Sequence, residues 1–585
     1  MQIKKKLKKI FRIIYSPIKK DPALFIVGFL ILAFASFLMF STLGYGDGNI
    51  LIKNKLYSDF LSHIPLIRSF SMGDNLPPEY PHFSGEPIRY HFLFYFIVGM
   101  LEKLGLRIDI ALNLMSVIGF AGLMIAIFLL ARKITKSNFV GIGAVLTIVL
   151  NTSLSWIYYF FIGNNKLVNI GGILTRTDFA AFGPYNDTII SAFWNLNIYT
   201  NQRHLAFALL LLVLAIWFIV YKKGKKYFWL TILIIGLMAW FHKAILLMIF
   251  ITLGVFFIIY KEKRKKIIVT SIFGLIAALP GLLYLSQSNL TDTSFLAFRP
   301  GFLYQGTTWW EMSVDNSFMK WIIYWFLNMG ILPLLAFCGF IITVLNEKVA
   351  KEINIFKKII NKIFNLQTVW FLVALVIFII ANLFTFGLDI ANNHKLINFS
   401  AMIWGIYAFI FLKEVSKGFK IIGRYIIVPI AIAILFAGGI CDLFPIINDG
   451  NGTIPDYQKM SNSRWVFNNS KPRDIFLNLS SDYYFVLISG RKIFLGGPYL
   501  IWSLGYPGSE RAAEVGVFFT NSFEKDPFCK YLEKNKIKFT YFQENERKVY
   551  DLDFNSKEFI DKFGDGLKLD GGIRMYETNE ICKNL

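Results

Sequence analysis

The sequence predicts a polytopic α-helical membrane protein of about eleven transmembrane helices, with a small extracytoplasmic α/β domain at its C-terminal end. Of the 585 residues, 55% are hydrophobic and only 17% are charged, whereas soluble domains carry about 25% charged residues. The hydrophobic residues form a series of runs of about 20 residues, each long enough to cross a bilayer core of about 30 Å. These runs do not alternate apolar and polar residues, as barrel strands would.

The distribution of charge predicts the orientation in the membrane. The formal net charge is +23, but the region 446–585 is near neutral, and the excess lies in short Lys/Arg clusters between apolar runs. Such clusters are typical of cytoplasmic loops, and this pattern excludes a nucleic-acid-binding function. The Lys/Arg clusters are 4–20, 132–136, 222–226, 261–266, 348–362 and 413–424.

Placing all six clusters inside gives eleven spans in a plasma-membrane protein, with the N-terminus cytoplasmic. The first run is too long for a signal-peptide core and predicts an uncleaved helix. The predicted spans are 23–43, 109–131, 139–161, 204–221, 227–241, 244–260, 267–285, 318–345, 368–387, 396–412 and 423–444. The apolar segment 88–104 has polar residues at both ends, and counting it as a span would move the later clusters outside. We therefore expect an interfacial helix there.

Two domains follow from this topology. Residues 1–445 form the transmembrane domain, with a long first outer loop at 44–108, and residues 446–585 form the extracytoplasmic α/β domain. In that second domain the patterns predict strands at 474–479, 484–488, 492–495, 538–542 and 573–577, and helices at 461–469, 509–519 and 526–535. If this region is extracytoplasmic, Cys529 and Cys582 could form a disulfide.

The first outer loop contains three candidate catalytic residues. Asp59 and His63 lie four apart in YSDFLSHIPLIRSF, so a helix would place them on one face. A carboxylate beside an imidazole suits a general base that activates a hydroxyl group. Asp47, in YGDGN, is the alternative base, since its flanking glycines allow a ligand to approach closely. A helix cap or surface pair at Asp59 and His63, and an ordinary turn at Asp47, are the structural alternatives.

Basic residues at three predicted outer helix ends suit a phosphate or diphosphate at the membrane surface. They are Arg203 and His204, His242 and Lys243, and Asn393, His394 and Lys395. Their alternative role is snorkelling to the interface. All six histidines fall on the predicted outer side, but no two of them are four residues apart, so the sequence does not favour a histidine metal site.

The layout resembles that of the GT-C superfamily of integral membrane glycosyltransferases, which includes protein O-mannosyltransferases and aminoarabinose transferases. The stretches YSDFLSHIPLIRSF, NLPPEYPHFSGEPIRYHFLFYF, NQRHLAF and SGRKIFLGGPYLIWSLGYPGSERAAE look like bacterial and archaeal members that are mostly uncharacterised. The resemblance implies a polyprenyl-phosphate sugar donor, an acceptor in the cell envelope, and a catalytic base at Asp47 or Asp59. Relatives similar to oligosaccharyltransferases also use a second acid and a divalent metal, but no second acid matches here, so the resemblance does not support a metal cofactor.

Two other classes of function remain open from the sequence. A transporter or flippase of lipid-linked glycans would carry charged residues at mid-membrane and similar loops on both faces, whereas these spans carry few charges and the loops are asymmetric. A non-catalytic envelope-assembly protein is the third class.

Overall fold

The structure is a computed structural model that describes residues 21–157, 160, 170–179, 194, 196–286, 296–309, 312–347, 355–386, 390–520 and 523–583. The predicted Lys/Arg cluster 4–20 and residues 348–354 of the cluster 348–362 lie outside the described residues.

The first 447 residues are mainly helical. The longer helices are α1 (Pro22–Thr42), α2 (Tyr57–Ser71), α3 (Leu93–Lys103), α4 (Ile108–Thr135), α5 (Asn138–Leu150), α6 (Arg203–Tyr221), α7 (Lys225–Phe241), α8 (Lys243–Ile259), α9 (Arg264–Ser286), α10 (Ser317–Met329), α11 (Leu332–Asn346), α12 (Ile355–Ile363), α13 (Val369–Leu383), α14 (His394–Gly418) and α15 (Val428–Ile447). Short helical turns lie at Asn54–Leu56, Ser155–Ile157, Ile170–Leu174, Asn197–Asn201, Lys261–Lys263, Ile390–Asn393, Lys420–Ile422 and Gly423–Ile427.

Six helical segments of the described chain are long and apolar enough to cross a membrane, or seven if one bent pair counts as a span. The six are Pro22–Thr42, Ile108–Thr135, Arg203–Tyr221, Lys261–Ser286, His394–Gly418 and Lys420–Ile447. Each predicted span overlaps at least one helix, but the span 139–161 runs past the end of α5 at Leu150 and partly outside the described residues. Helices α5, α8 and α13 are also shorter than the other candidates, so the predicted count of eleven crossings is not confirmed.

The prediction of one continuous span at 318–345 is wrong. Helices α10 and α11 meet at an angle of 93°. Gly330 has a φ of 58° at the break, a conformation that suits glycine and ends α10. Pro333 lies in the first turn of α11, where its fixed φ favours a new helix start.

The ambiguous segment 88–104 contains helix α3, which has 11 residues. At 1.5 Å per residue it is about 16 Å long, roughly half of a bilayer core. Its buried residues include Phe94, Tyr95 and Val98, and it packs against α2, where Gly99 lies against the backbone of Ile67. The helix is too short to cross a bilayer core by itself, and its interfacial position stays a prediction.

The C-terminal region contains a five-stranded mixed sheet with helices packed around it. Its strand order is β11-β10-β12-β16-β15, in which β10 runs parallel to β11 and β12, and β16 runs antiparallel to β12 and β15. The strands are β10 (Ile475–Leu479), β11 (Lys492–Ile493), β12 (Ile537–Gln543), β15 (Leu567–Leu569) and β16 (Ile573–Glu577), with a hairpin of β13 (Lys548–Val549) and β14 (Leu552–Asp553). The helices are α16 (Ser461–Asn469), α17 (Tyr484–Ile488), α18 (Pro498–Ser503), α19 (Gly508–Thr520), α20 (Lys525–Lys534), α21 (Ser556–Phe563) and α22 (Thr578–Ile581), with a short turn at Asp570–Gly572.

The predicted strand at 484–488 is wrong, because this segment is helix α17. Phe485, Val486, Leu487 and Ile488 are all buried. The spacing of polar residues distinguishes a strand from a helix, and a short segment that is buried on every side has no polar residues to show that spacing. The predicted disulfide between Cys529 and Cys582 is formed.

The first loop and the C-terminal region share a sheet. Strand β9 (Asn451–Pro455) pairs with β2 (Asn49–Lys53), which pairs with β1 (Leu43–Gly46). The side chain of Arg68 on α2 also donates to Asp456 at 2.7 Å, and both groups are buried. These contacts cross the predicted domain boundary at 446, which stays a prediction. Three further two-stranded sheets lie in the described chain. Two are hairpins, β3 (Glu79–Tyr80) with β4 (Phe83–Pro87) and β6 (Thr308–Trp309) with β7 (Met312–Ser313), and in the third β5 (Leu296–Phe298) pairs with β8 (Phe384–Phe386).

The Lys/Arg clusters 222–226 and 261–266 contact each other at the end of the bundle opposite the loop 44–108, and the cluster 132–136 lies at the start of α1. Arg132, at the end of α4, forms an ion pair with Asp21 at the start of α1. Lys266, at the start of α9, donates to the backbone carbonyls of Ile219 and Lys222 at the end of α6. The loop 44–108 therefore lies at the end of these helices away from the clusters, as the charge pattern predicts.

Candidate functional site

Helix α2 separates the C-terminal region from the membrane helices. Tyr57 and Leu61 on one face line a cavity of about 350 Å³ together with residues 453–455 and 481–485. Asp59 and His63 lie on the opposite face, because helical spacing turns them roughly 180° away from Tyr57 and Leu61. Both residues lie in helix α2, and their spacing of four places them on one face of it, as the sequence predicts.

His63 is buried and faces the ends of the membrane helices. Its ring stacks on that of Tyr95 with 4.6 Å between centroids. Burial, and then the positive charges of Arg203 and Lys395, lower the pKa of His63 to about 3. The imidazole is therefore neutral near pH 7, and it can donate or accept a hydrogen bond without carrying charge.

Two further histidines meet beside it. The Nε2 atoms of His91 and His204 are 2.5 Å apart, and the hydroxyl of Tyr95 lies 2.7 Å from Nδ1 of His204. The ring of Tyr90 packs on His91 with 3.7 Å between centroids. Burial and the neighbouring charges, led by those of His204 and His242, lower the pKa of His91 well below its usual value.

His242, at the junction of α7 and α8, completes a group of three histidines. Its ring stacks on that of His91 at 4.3 Å with an interplanar angle of 16°, and lies 5.5 Å from that of His204. His242 is 2% exposed, and neither of its ring nitrogens has a hydrogen-bond partner among the described residues. Lys243 and His394 lie close enough for their charges to act on it.

Arg203 ties three helices together at this site. Its guanidinium donates to Asn113 on α4 at 2.6 Å and to Thr42 on α1 at 2.9 Å. Its Nε donates to the carbonyl of Thr200 at 2.8 Å. Below this contact, Gly119 of α4 lies so close to the backbone of Phe207 that a Cβ would come within 3.0 Å of it. Arg203 thus anchors the start of α6 through neutral acceptors, while its buried charge remains next to His63.

Asn393 and Lys395 have different roles at the start of α14. The amide of Asn393 donates to the carbonyls of Ala381 and Phe384, and its oxygen accepts from the backbone N–H of Phe386. These bonds use the amide to fix the start of α14, so the structure does not present Asn393 as a direct phosphate contact. Lys395 is buried, and its charge acts on both His63 and His91.

The two candidate acids lie in different surroundings. Asp47 is exposed in the β1–β2 turn with a φ of 50°, and its backbone carbonyl accepts from Lys459 at 2.8 Å. Asp59 is half-buried, and its negative charge adds to the effect of burial in raising the pKa of Tyr90 well above its usual value. Asp59 is therefore the acid that adjoins the buried histidines, and Asp47 is a turn residue that faces the C-terminal region.

We refer to eight residues as the basic cluster. They are His63, His91, Arg203, His204, His242, Lys243, His394 and Lys395. Seven of them are buried, and Lys243 is partly buried. Positive charge in a water-poor environment interacts strongly with an anion, because the dielectric constant there is low. The cluster can therefore hold a phosphate or a similar anion.

Sequence reasoning did not find the roles of Tyr90, His91 and Tyr95. His91 contacts a residue 113 positions later in the chain, so no local spacing could reveal the contact. The weak signal available was the concentration of histidines at the outer helix ends.

Metal-type ligands meet in one place within the described part of the chain. His91, His204 and His242 offer ligand nitrogens that all lie within 4.8 Å of one another. No carboxylate belongs to this group. The group therefore offers imidazole nitrogens as its ligand atoms.

Comparisons with known proteins agree on a membrane protein. A family model described as Uncharacterized membrane protein (DUF2298) matches residues 18–174. No curated protein matches the sequence. A crystal structure of the Archaeoglobus fulgidus oligosaccharyltransferase, in complex with Zn and sulfate, is similar at a TM-score of 0.44 and 12% identity, covering 88% of this chain and 68% of that one. The chain is a helical membrane protein.

Proposed function

We propose that the protein is a membrane glycosyltransferase that moves a sugar from a polyprenyl-phosphate donor to a hydroxyl acceptor in the cell envelope. The observation that carries the proposal is the basic cluster, which gathers three permanent cations and five histidines beside the carboxylate of Asp59. A buried concentration of positive charge suits a phosphate, and an adjacent acid suits the activation of a hydroxyl group.

The donor phosphate would lie against Lys243 and Lys395. Lipid-linked substrates place their phosphate near the membrane surface, at the depth where α8 and α14 begin. Arg203 adds charge while its hydrogen bonds hold α1, α4 and α6 together. As the bond to the sugar breaks, negative charge develops on the phosphate oxygen, and these fixed cations stabilise it.

Asp59 would act as the general base. It accepts the proton of the acceptor hydroxyl as the hydroxyl oxygen forms a bond to the anomeric carbon. The bond from that carbon to the phosphate oxygen breaks, and its electron pair leaves on the polyprenyl phosphate. Attack opposite to the leaving group inverts the anomeric configuration. The neutral imidazole of His63 can donate a hydrogen bond to a substrate oxygen.

Two features support an extracytoplasmic site. The Lys/Arg clusters lie at the opposite end of the bundle, as expected of cytoplasmic loops. The disulfide between Cys529 and Cys582 is of a kind that persists in oxidising compartments.

The test is the release of polyprenyl phosphate from a polyprenyl-phosphate sugar by the purified full-length protein in lipid nanodiscs. We expect Asp59→Asn to lower the rate at least 100-fold, the usual scale for loss of a general base. Asp47→Asn is the matched control, because asparagine tolerates the positive φ of that turn, and its rate should stay within about twofold of the wild type.

An Asp59→Asn variant with the wild-type rate would overturn the assignment of the base. A wild-type protein that consumes no donor under any acceptor condition, yet moves a labelled polyprenyl-phosphate sugar between leaflets, would identify a transporter instead.

Lys395→Met should raise the KM for the donor more than it lowers kcat, because this change removes a contact to the phosphate in both the ground state and the transition state.

A further inference from the structure

Three histidines from separate parts of the chain converge at one point. His91 precedes α3, His204 lies in the first turn of α6, and His242 joins α7 to α8. The Nε2 atoms of the first two are 2.5 Å apart, and all three ligand nitrogens lie within 4.8 Å of one another. Tetrahedral coordination with metal–nitrogen bonds of about 2.0–2.1 Å separates ligand nitrogens by about 3.3 Å. The distance between the His91 and His204 nitrogens is shorter than this value and no separation exceeds 4.8 Å, so shifts of about 1–1.5 Å would place all three nitrogens around one ion.

Burial of His242 without partners is a second, independent observation. The side chain is only 2% exposed, and neither ring nitrogen has a hydrogen-bond partner among the described residues. A buried polar group that lacks a partner destabilises the folded protein. A metal ion bound to one of these nitrogens would remove that destabilisation.

Tyr95 supplies a hydrogen bond that orients one of the three histidines. Its hydroxyl lies 2.7 Å from Nδ1 of His204. A ligating histidine commonly donates its other ring N–H to an oxygen, which fixes the ring and its tautomer. With Nδ1 of His204 protonated and donating to Tyr95, Nε2 has a lone pair directed toward His91.

We propose that His91, His204 and His242 form a binding site for a divalent transition metal such as Zn²⁺, with an anionic phosphate oxygen in the fourth position. Imidazole ligands suit Zn²⁺, Co²⁺, Ni²⁺ and Cu²⁺, and three protein ligands leave a position open for substrate. The charges of Lys243 and Lys395 weaken the binding of the metal ion alone without preventing it, and they favour binding of an anion in the fourth position. This inference rests on the proposed function for the identity of that anion, and on the histidine geometry alone for the metal.

The metal is tested with full-length protein purified through a tag without histidine. After treatment with a chelator, the protein is loaded with Co²⁺ and separated from excess metal. We expect about one equivalent of bound metal by mass spectrometry and the strong visible absorption of four-coordinate Co²⁺. His91→Ala and His242→Ala should each weaken Co²⁺ binding at least tenfold. His82→Gln is the matched control, since His82 is equally buried but lies beside Tyr80 and Tyr483.

Inorganic phosphate is the probe for the fourth position. Its addition should shift the Co²⁺ spectrum in the wild type, and Lys395→Met should need at least tenfold more phosphate for the same shift. Less than 0.1 equivalent of metal in the loaded wild type would overturn the site, whether or not the variants fold. Metal binding by His91→Ala and His242→Ala equal to that of the wild type would also overturn it.

The outcomes separate this inference from the proposed function. Full release of polyprenyl phosphate by a protein that binds no metal would refute the metal site and leave the glycosyltransferase standing. A stoichiometric metal in a protein that transfers no sugar would refute the glycosyltransferase and leave the three-histidine site standing.

Discussion

Replacing Asp456 with alanine should loosen the C-terminal region from helix α2. The carboxylate of Asp456 accepts from Arg68 at 2.7 Å, from the hydroxyl of Tyr45 at 3.1 Å and from the backbone N–H of Tyr457 at 2.8 Å. Removing one partner of a buried ion pair costs about 3–5 kcal/mol, because the other charge stays buried. Arg68 is 2% exposed, so water cannot replace the lost carboxylate without opening the interface.

Because Glu102 also lies beside Arg68, we expect the loss of docking free energy to be at the lower end of the range of about 3–5 kcal/mol. Its carboxylate lies 3.3 Å from Arg68 and remains after the substitution. Burial raises the pKa of Glu102, and the negative charge of Asp456 raises it further. Removing Asp456 therefore favours ionised Glu102, which partly compensates Arg68. We expect a loss of about 3 kcal/mol in the free energy of docking, or roughly a 100-fold change in the equilibrium.

Hydrogen exchange of strand β9 measures this opening, because its amides are protected by pairing with β2. Asp456→Ala should raise the amide exchange rates of residues 451–454 roughly 100-fold. Lys103→Ala is the control, since it breaks an ion pair to Asp74 in which the side chains are 50% and 61% exposed. Exposed pairs contribute less than about 1 kcal/mol, so exchange should rise less than about fivefold. Equal effects of the two substitutions would refute the reasoning.

Further predictions concern stability. Gly490→Ala should lower the unfolding temperature, because Gly490 has a φ of 76° and a Cβ there would lie 2.8 Å from a backbone carbonyl of α2. Gly571→Ala is the control, since Gly571 has a φ of 73° but open space around it, so that this variant measures the cost of the backbone conformation alone. Asn393→Ala should destabilise the start of α14 by about 2–3 kcal/mol, seen as faster exchange of residues 394–398, because it leaves buried backbone groups without partners. Reduction of the disulfide, which spans 53 residues, should destabilise the C-terminal region by about 4 kcal/mol in denaturant titrations, and equal midpoints for the oxidised and reduced protein would contradict this. Burial lowers the pKa of His82 to about 4, below the unfolded value of 6.5. The contribution of His82 to stability is therefore complete above pH 6.5 and falls as the pH approaches 4. Between pH 7 and pH 5 the free energy of unfolding should fall by about 2 kcal/mol, and His82→Gln should remove this pH dependence.

The fold could largely be predicted from apolar runs and charge clusters. Each predicted span overlaps a helix, and the interfacial assignment of 88–104, which contains the short helix α3, stays a prediction. The sharp bend at Gly330 escaped prediction, since one glycine followed by a proline in an apolar run does not reveal an angle. The helix at Tyr484–Ile488 escaped because complete burial leaves no periodicity to read.

The site could be predicted in its parts but not in its arrangement. The charge-based topology identified Asp59, Arg203, His242 and Lys395 as residues of one face of the membrane, because the ends of spanning helices must alternate between faces. The contacts of His91 depend instead on how a loop folds over helix ends more than one hundred residues away. Such contacts have no spacing rule, and helical periodicity alone could only suggest pairs such as Asp59 and His63.

The most direct test of the proposed site is the position of the donor phosphate. An experimental structure of the full-length protein in nanodiscs with bound polyprenyl phosphate would show it. The proposed function predicts phosphate density within about 4 Å of the Lys395 Nζ atom, on the side of α2 that carries Asp59. A headgroup bound only at the opposite end of the bundle, beside Arg132 and Lys266, would contradict it.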